Sequence, residues 1–285
     1  MKRFVSMMTL GLLWLIGSHA KAETLIYAHG WLPGGNDLSW ANNTSSSSGY
    51  PWGSMPSGAV NIAWNTGANW TQAIANAKTT LDARCSRAAG QSCTVVCHST
   101  GCPITAAALD IHGTSGGVPR WRINRVLTLG SAEGGTELAS TGAMANVVAS
   151  IWGGSVVTPS VSYLSPSYVR GAYDHNDTAG SAFFHVAGYD GGSYGSAGLL
   201  PGQDDGVVPF HSACGYVKVF SATQCSNDWE WVRKTSWGVP YYVMREVARW
   251  TNHTRVEYCG RDGCDKTHMQ LVANEFQNLA TVPNP

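Results

Sequence analysis

The chain has 285 residues, with 18 Lys and Arg balanced by 18 Asp and Glu and a charged fraction of only 13%. Without net charge it lacks the cationic surface that binds phosphates by counterion release, which argues against a nucleic-acid partner and an electrostatic membrane anchor. The low charge and the 33 glycines are typical of a loop-rich extracellular protein with a neutral polar surface.

The N-terminus has the three parts of a secretion signal. Lys2 and Arg3 give it a positive start, and residues 10–16 are almost wholly apolar. Ala20 and Ala22 are the small residues that a signal peptidase accepts. The apolar run is shorter than the ~20 residues that span a membrane. We expect a signal peptide over 1–22, cleavage near Ala22, and a secreted or periplasmic protein without a stable membrane anchor.

The 8 cysteines are disulfide candidates, because export leads to an oxidising compartment. Their even number leaves no obligatory free thiol. No C-x2-C pair typical of zinc sites occurs, and we expect no metal and no cofactor. Sequence does not fix the pairing, but clustering along the chain favours short loops: Cys85 with Cys93, Cys97 with Cys102, Cys214 with Cys225, and Cys259 with Cys264.

Apolar and β-branched runs alternate with helical patterns along the chain. Trp70, Ile74 and Ala77 recur at intervals of three and four, as on one face of a helix. In chain order we predict a strand over 24–29, a loop over 33–60, a helix from 69 to 90, a strand over 92–97, a helix over 103–111, a strand over 126–129, a helix over 136–149, strands over 182–187 and 216–220, and a last helix over 271–279. This order indicates an α/β protein: one domain over 23–285 with a mainly parallel sheet and helices on both faces.

Residues 94–102 read Thr-Val-Val-Cys-His-Ser-Thr-Gly-Cys, an apolar strand that runs through a polar turn into a helix. A serine at the tip of such a nucleophile elbow exposes its hydroxyl beside the first helical N–H groups, and here that serine is Ser99. Gly101 supplies the expected small residue two positions later. Cys97, two positions earlier, replaces the usual glycine and would be accommodated by bonding to Cys102. The alternative is an ordinary helix N-cap at this turn.

A nucleophilic serine needs a base to accept its proton and an acid to orient that base. Asp205 is the candidate acid because an Asp-Gly turn presents it after a predicted strand, and Asp204 is its rival. His268, in a polar loop late in the chain, is the candidate base, with His253 and His211 as rivals.

Four segments of the chain resemble the landmark regions of secreted bacterial lipases and esterases of the α/β hydrolase superfamily. They are Tyr27-Ala-His-Gly-Trp31, Cys97-His-Ser-Thr-Gly101, Thr128-Leu-Gly-Ser131 with Gly135, and Gln203-Asp-Asp-Gly-Val207. The resemblance implies an α/β hydrolase fold in which Ser99 is the nucleophile, Asp205 the orienting acid and His268 the base. It also implies that the backbone N–H groups of Trp31 and Thr100 form the oxyanion hole.

The chain departs from that family pattern at several positions. Ala132-Glu133 stand where such lipases often have Pro-His, and Met269-Gln270 follow the histidine where many relatives have a calcium-binding aspartate. We therefore expect no calcium. The acidic pair Asp174 and Asp177 is interpreted as part of a hydrated loop.

Together these features predict a serine carboxylic-ester hydrolase that acts on an acyl ester or lipid. The same triad could instead serve a phospholipid, a polyester or an amide, because fold and triad do not fix the substrate. A non-catalytic binding protein is the remaining alternative, since 12 Trp and 11 Tyr are enough to dock sugars or apolar polymers. Acyl-chain preference and oligomeric state stay open.

Overall fold

The computed structural model describes residues 23–31, 56–62, 64, 69–141, 143–147, 159–194, 196, 198–225, 229–255 and 264–272. The expected signal peptide, most of the predicted loop over 33–60, and the predicted last helix beyond Val272 lie outside the described residues. Cys259 lies outside them as well.

Six parallel strands form the central sheet. From one edge to the other they are β2 (Val60–Asn61), β1 (Thr24–Ala28), β3 (Cys93–His98), β6 (Ile123–Leu129), β7 (Phe183–Val186) and β10 (His253–Arg255). Two antiparallel hairpins stand apart from this sheet: β4 (Thr114–Ser115) with β5 (Val118–Pro119), and β8 (Trp229–Ser236) with β9 (Val239–Glu246). The predicted parallel sheet is confirmed.

The helices connect and cover the strands. They are α1 (Trp70–Arg84), α2 (Gly101–His112), α3 (Leu138–Thr141), α4 (Pro166–Ala172) and α5 (Phe210–Ala213), with 3-10 turns at Pro159–Leu164, Gly191–Tyr194 and Gln270–Val272. Asn69 caps α1 by accepting a hydrogen bond from Gln72 N at 2.8 Å. This helix ends at Arg84, earlier than the predicted Gly90, because Cys85 is bonded to Cys93 and the chain must turn back to β3.

Alternate residues of the strands pack into different cores, because successive side chains of a strand point to opposite faces of a sheet. On one face Ile26, Val95 and Val126 pack against α1 and α2. On the other face Tyr27 and Val96 pack in a smaller cluster, whose members from outside the sheet include Ala59, Leu271 and Val272. Burial on both faces explains why these strands read as continuous apolar runs.

Three of the four predicted disulfides are formed: Cys85–Cys93, Cys97–Cys102 and Cys214–Cys225. The fourth prediction involves Cys259, which lies outside the described residues. Each of the three disulfides closes a short loop. They therefore constrain the chain locally and do not join distant parts of the sheet.

Two further predicted elements differ from the structure. The helix predicted over 136–149 is interrupted after α3. Thr141 Oγ1 there donates to Leu138 O and accepts from Ala143 N, both at 3.4 Å, and such side-chain bonds compete with helix continuation. The strand predicted over 216–220 is wrong as well, since Tyr216 makes only an isolated bridge to Arg249.

The β8–β9 hairpin carries the largest exposed apolar side chains of the described residues. Trp231, Trp237 and Tyr242 are 68%, 102% and 63% exposed. These aromatic residues therefore do not serve as core, which is the usual role of tryptophan. Within the described residues, none of the helices has the length and apolar character needed to cross a membrane.

Candidate active site

Ser99 occupies the turn between β3 and α2, where the sequence places the elbow. Its φ is 53°, a left-handed conformation that is uncommon for a residue with a side chain. Two backbone bonds hold it there: Ser99 N donates to Leu129 O at 3.1 Å, and Ala132 N donates to Ser99 O at 3.2 Å. The elbow is thus fixed to the end of the neighbouring strand β6.

The residues on either side of Ser99 explain how helix and strand approach so closely. A Cβ at Gly101 would lie 2.3 Å from Ala28 O and 2.6 Å from His29 O, so only glycine fits at this position. Cys97, in the usual glycine position, forms the predicted bond to Cys102, and both cysteines are fully buried. The disulfide therefore spans the turn that carries the serine.

Asp205 and His268 form a buried hydrogen-bonded pair. His268 Nδ1 donates to Asp205 Oδ2 at 2.8 Å. The other carboxylate oxygen accepts from the N–H groups of Val207 at 3.0 Å and Val208 at 2.8 Å. A backbone hydrogen bond also joins the two residues, since His268 N donates to Asp205 O at 2.8 Å. With Nδ1 committed to the carboxylate, Nε2 is the nitrogen left to act as a base.

Two glycines place this pair at the carboxyl ends of β6 and β7. Gly130 directly follows β6, with φ +52°, and a Cβ there would lie 2.7 Å from Asp205 Oδ2 and 3.0 Å from His268 Nδ1. At Gly188, just past β7, a Cβ would lie 3.0 Å from Asp205 Cβ. Ser99 follows the adjacent strand β3, so all three candidate residues lie along one edge of the sheet, where ligands bind in such folds.

His98 is a further site residue that sequence reasoning missed. Its ring packs 4.3 Å from the His268 ring, and His98 Nε2 donates to His268 O at 2.9 Å. Burial lowers the pKa of His98 well below its ordinary value, and the nearby His268 lowers it further. A neutral, fully buried His98 thus positions the loop that carries the candidate base. Sequence carries no local signal for this role, because the partner lies 170 residues further along the chain.

Ser99 and His268 are not hydrogen-bonded to each other in the described structure, although His98, which directly precedes Ser99, packs against the His268 ring. Catalytic hydrogen bonds are often long before substrate binds. The acid–base half of the series is therefore assembled, and Ser99 follows a neighbouring strand end.

The two candidate oxyanion residues follow adjacent strand ends. Thr100 precedes α2, where the first helical N–H groups have no partner within the helix. Trp31 follows β1, three residues beyond its end, and is partly buried against the second core cluster. The chain before it is held by His29, whose ring stacks on Trp64 at 5.0 Å and whose carbonyl accepts from Trp64 Nε1 at 3.0 Å. Burial lowers the pKa of His29 to about 4.

The rival residues have other partners. Asp204 Oδ1 accepts from Gly206 N at 2.8 Å and from Ser196 Oγ at 3.3 Å, so this carboxylate faces away from His268. His211 Nε2 lies 3.0 Å from Glu137 Oε1. His253 lies 3.6 Å from the buried carboxylate of Glu133.

Two groups of described residues carry side chains of the types that can ligate a metal ion. Asp174 and Asp177 accept hydrogen bonds from the N–H groups of Asn176 and Ala179, as in an ordinary polar loop. By contrast, Glu133, His185 and His253 bring their ligand atoms together in the interior. Sequence reasoning missed this second group because the three residues lie on separate segments.

The parallel sheet, the strained serine between β3 and α2, and the Asp–His pair at the neighbouring strand ends define an α/β hydrolase fold. Among solved structures, the fold is similar to that of the Bacillus licheniformis lipase BlEst2. The mature form gives a TM-score of 0.55 at 18% identity over 91% of this chain and 92% of that one. The propeptide form gives 0.50 at 17% identity over 93% of this chain, which spans 51% of that longer chain. No protein-family model and no curated protein matches the sequence.

Proposed function

We propose that the protein is an exported serine hydrolase that cleaves carboxylic esters. The observation that carries the proposal is the buried Asp205–His268 pair at the same sheet edge as a serine held at φ 53°. A solvated turn aspartate would not meet a histidine that lies 63 residues further along the chain. Three disulfides in keeping with an oxidising compartment support export.

In the proposed reaction Ser99 Oγ attacks the ester carbonyl carbon while His268 Nε2 takes its proton. The C=O π electrons move to the oxygen, and the N–H groups of Trp31 and Thr100 stabilise this oxyanion. Collapse breaks the bond to the alkoxy group, which leaves as an alcohol with the proton from His268. Water then repeats the sequence on the acyl-enzyme, releasing the carboxylic acid and restoring Ser99. Asp205 holds the imidazole in the required tautomer throughout.

The test is covalent labelling with a fluorophosphonate probe, followed by turnover of p-nitrophenyl esters. We expect the wild type and Ser115→Ala, a change at an exposed serine of β4, to be labelled and active. Ser99→Ala should lose labelling, and its kcat/KM should fall by on the order of 10³–10⁶-fold. Labelling or full turnover by a folded Ser99→Ala protein would refute the assignment.

A substrate panel separates the ester hypothesis from its alternatives. Short and long acyl esters, a phospholipid, a polyester and an aryl amide would be compared at equal enzyme concentration. Preferential turnover of carboxylic esters supports the proposal. A protein that binds these compounds but is neither labelled nor active would be a non-catalytic aromatic binding protein.

A further inference from the structure

A second cluster of reactive side chains lies outside the proposed triad. Glu133 follows β6, His185 lies within β7, and His253 begins β10. One ligand atom from each lies within 4.8 Å of the other two, and all three side chains are completely buried. The described segments therefore bring two imidazoles and a carboxylate to one point of the interior.

The distances within the cluster fit ligands around an ion better than hydrogen bonds. Glu133 Oε2 lies 3.6 Å from His253 Nε2 and 3.9 Å from His185 Nε2. Hydrogen bonds between such atoms would be about 2.7–3.2 Å long. In a tetrahedral site with metal–ligand bonds of about 2.0–2.2 Å, neighbouring ligand atoms are about 3.3–3.6 Å apart.

The two imidazole nitrogens that face the carboxylate, His185 Nε2 and His253 Nε2, have no hydrogen-bond partner. The second carboxylate oxygen, Glu133 Oε1, has none either. The Ala213 carbonyl interacts with His185, but the geometry is not that of a hydrogen bond. Buried polar atoms are almost always paired, so two unpartnered imidazole nitrogens beside a buried carboxylate call for a partner that supplies positive charge.

Hydrogen bonds to neighbouring residues hold the three side chains in place, as is usual for metal ligands. His253 Nδ1 donates to Thr251 O at 2.8 Å, and His185 Nδ1 lies 2.8 Å from Thr128 Oγ1. Ser131 Oγ donates to Glu133 Oε2 at 3.2 Å. Metal-binding imidazoles usually donate their second N–H to such oxygens. With Nδ1 bonded to Thr251 O, His253 presents Nε2 to the Glu133 carboxylate.

We propose that Glu133, His185 and His253 bind a zinc ion with a structural role. Two imidazole nitrogens and one carboxylate oxygen are a donor set that zinc accepts. Of the described residues, only these three bring their ligand atoms together, so a water molecule would complete the tetrahedral coordination. The ion would join β7 and the edge strand β10 to the loop after β6.

This site would support the nucleophile without taking part in the chemistry. Ala132, next to Glu133, donates its N–H to Ser99 O at 3.2 Å. Fixing Glu133 to the two strands therefore fixes the loop that holds the elbow. Complete burial of the donor atoms separates the site from substrate, which is why the role is structural.

The first test is elemental analysis of untagged protein produced in zinc-containing medium. We expect close to one zinc per chain, and binding to chelator-treated protein that raises Tm by about 5–10 °C at 100 times the Kd. Cobalt in place of zinc should give the strong visible absorption of four-coordinate Co²⁺. Iron in place of zinc, or no metal and no change in Tm, would overturn the proposal.

Variants assign the site to its residues. Glu133→Gln and His253→Gln should lose the zinc and the increase in Tm, whereas His211→Gln, at a buried histidine paired with Glu137, should keep both. Ser99→Ala should bind zinc as the wild type does, which separates this test from that of ester hydrolysis. Zinc retained at full stoichiometry by both cluster variants would place the ion elsewhere and refute the assignment.

Discussion

At the scale of single residues, the two adjacent aspartates have opposite surroundings. Asp205 accepts hydrogen bonds from His268 and from two backbone N–H groups. Asp204 instead accepts a hydrogen bond from Ser196 Oγ. Burial raises the pKa of Asp204, and the neighbouring Asp205 adds to this rise. A neutral amide is therefore better tolerated at Asp204 than at Asp205.

We predict that Asp205→Asn lowers kcat by on the order of 10³–10⁴-fold, because an amide stabilises the wrong His268 tautomer. Asp204→Asn should stay within a few-fold of the wild type. Steady-state kinetics of both variants, with Tm measured as a check on folding, decides the matter. The reverse order of the two effects would assign the orienting acid to Asp204.

Alanine substitution at Gly101 tests the close approach of the elbow to β1, and the same substitution at Gly171 is the control. Gly101→Ala should lower the free energy of unfolding by about 1–3 kcal/mol and reduce activity, since its Cβ would press on Ala28 O. Gly171, within α4, has open space around its Cβ position, so Gly171→Ala should stabilise by up to about 1 kcal/mol. Urea unfolding measures both, and equal effects would contradict the packing argument.

The site could be predicted from sequence as far as its signals are local. Ser99 is marked by the strand, turn and helix around it, and Asp205 by an Asp-Gly turn. The choice between Asp205 and Asp204 needs the fold, because it depends on a loop 63 residues further along the chain. His98 acquires its role only through the carbonyl of His268, 170 residues away, which no local pattern reports.

At the scale of elements, the strands were more predictable than the ends of the helices. Burial on both faces gives β1, β3 and β6 continuous apolar runs that sequence shows directly. Helix ends depend on competing contacts. The Cys85–Cys93 bond ends α1, and the hydroxyl of Thr141 competes for backbone groups at the end of α3. The hydrophobic periodicity of the sequence does not report these contacts.

The Cys97–Cys102 bond brackets the elbow and should matter for activity as well as stability. Replacing both cysteines by alanine should lower the free energy of unfolding by about 2 kcal/mol and kcat/KM by on the order of 10–100-fold. The matched control, Cys85→Ala with Cys93→Ala, should lose about 2–3 kcal/mol with kcat/KM retained. Denaturant unfolding and ester kinetics test this, and an unchanged kcat/KM in the first variant would show that the elbow does not need its disulfide.

At the scale of the whole molecule, one charge cluster links stability to pH. Asp82 on α1 binds Arg120 through Nε at 2.6 Å and Nη2 at 2.9 Å, and Lys78 Nζ at 2.7 Å. Partial burial raises the pKa of Asp82, but hydrogen bonds from Lys78, Arg120 and Trp121 outweigh it and lower the pKa from 3.8 to about 2. The carboxylate thus ties α1 to the chain that enters β6.

Because the folded-state pKa is depressed, this contribution is complete above the unfolded value and is lost as pH falls from about 4 through about 2. Asp82→Asn should lower the free energy of unfolding by about 1 kcal/mol at pH 7, a modest figure because solvent screens the group. The difference from the wild type should shrink across that acid window. Asp190→Asn, at a partly exposed aspartate bonded to Ser193, should follow the wild type, and a pH-independent loss in Asp82→Asn would contradict the ionic origin.

The short disulfide loops also bear on the order in which the chain acquires its structure. The bonds join cysteines 5, 8 and 11 positions apart, whereas β1 must find β3 from Thr24 to Cys93. Short loops close in nanoseconds to microseconds, and long-range parallel pairing is far slower. The thiols therefore meet their partners in the still unfolded chain, where neighbours are statistically favoured. Oxidation of an incompletely folded chain thus favours the native local pairs and does not commit the chain to a wrong topology.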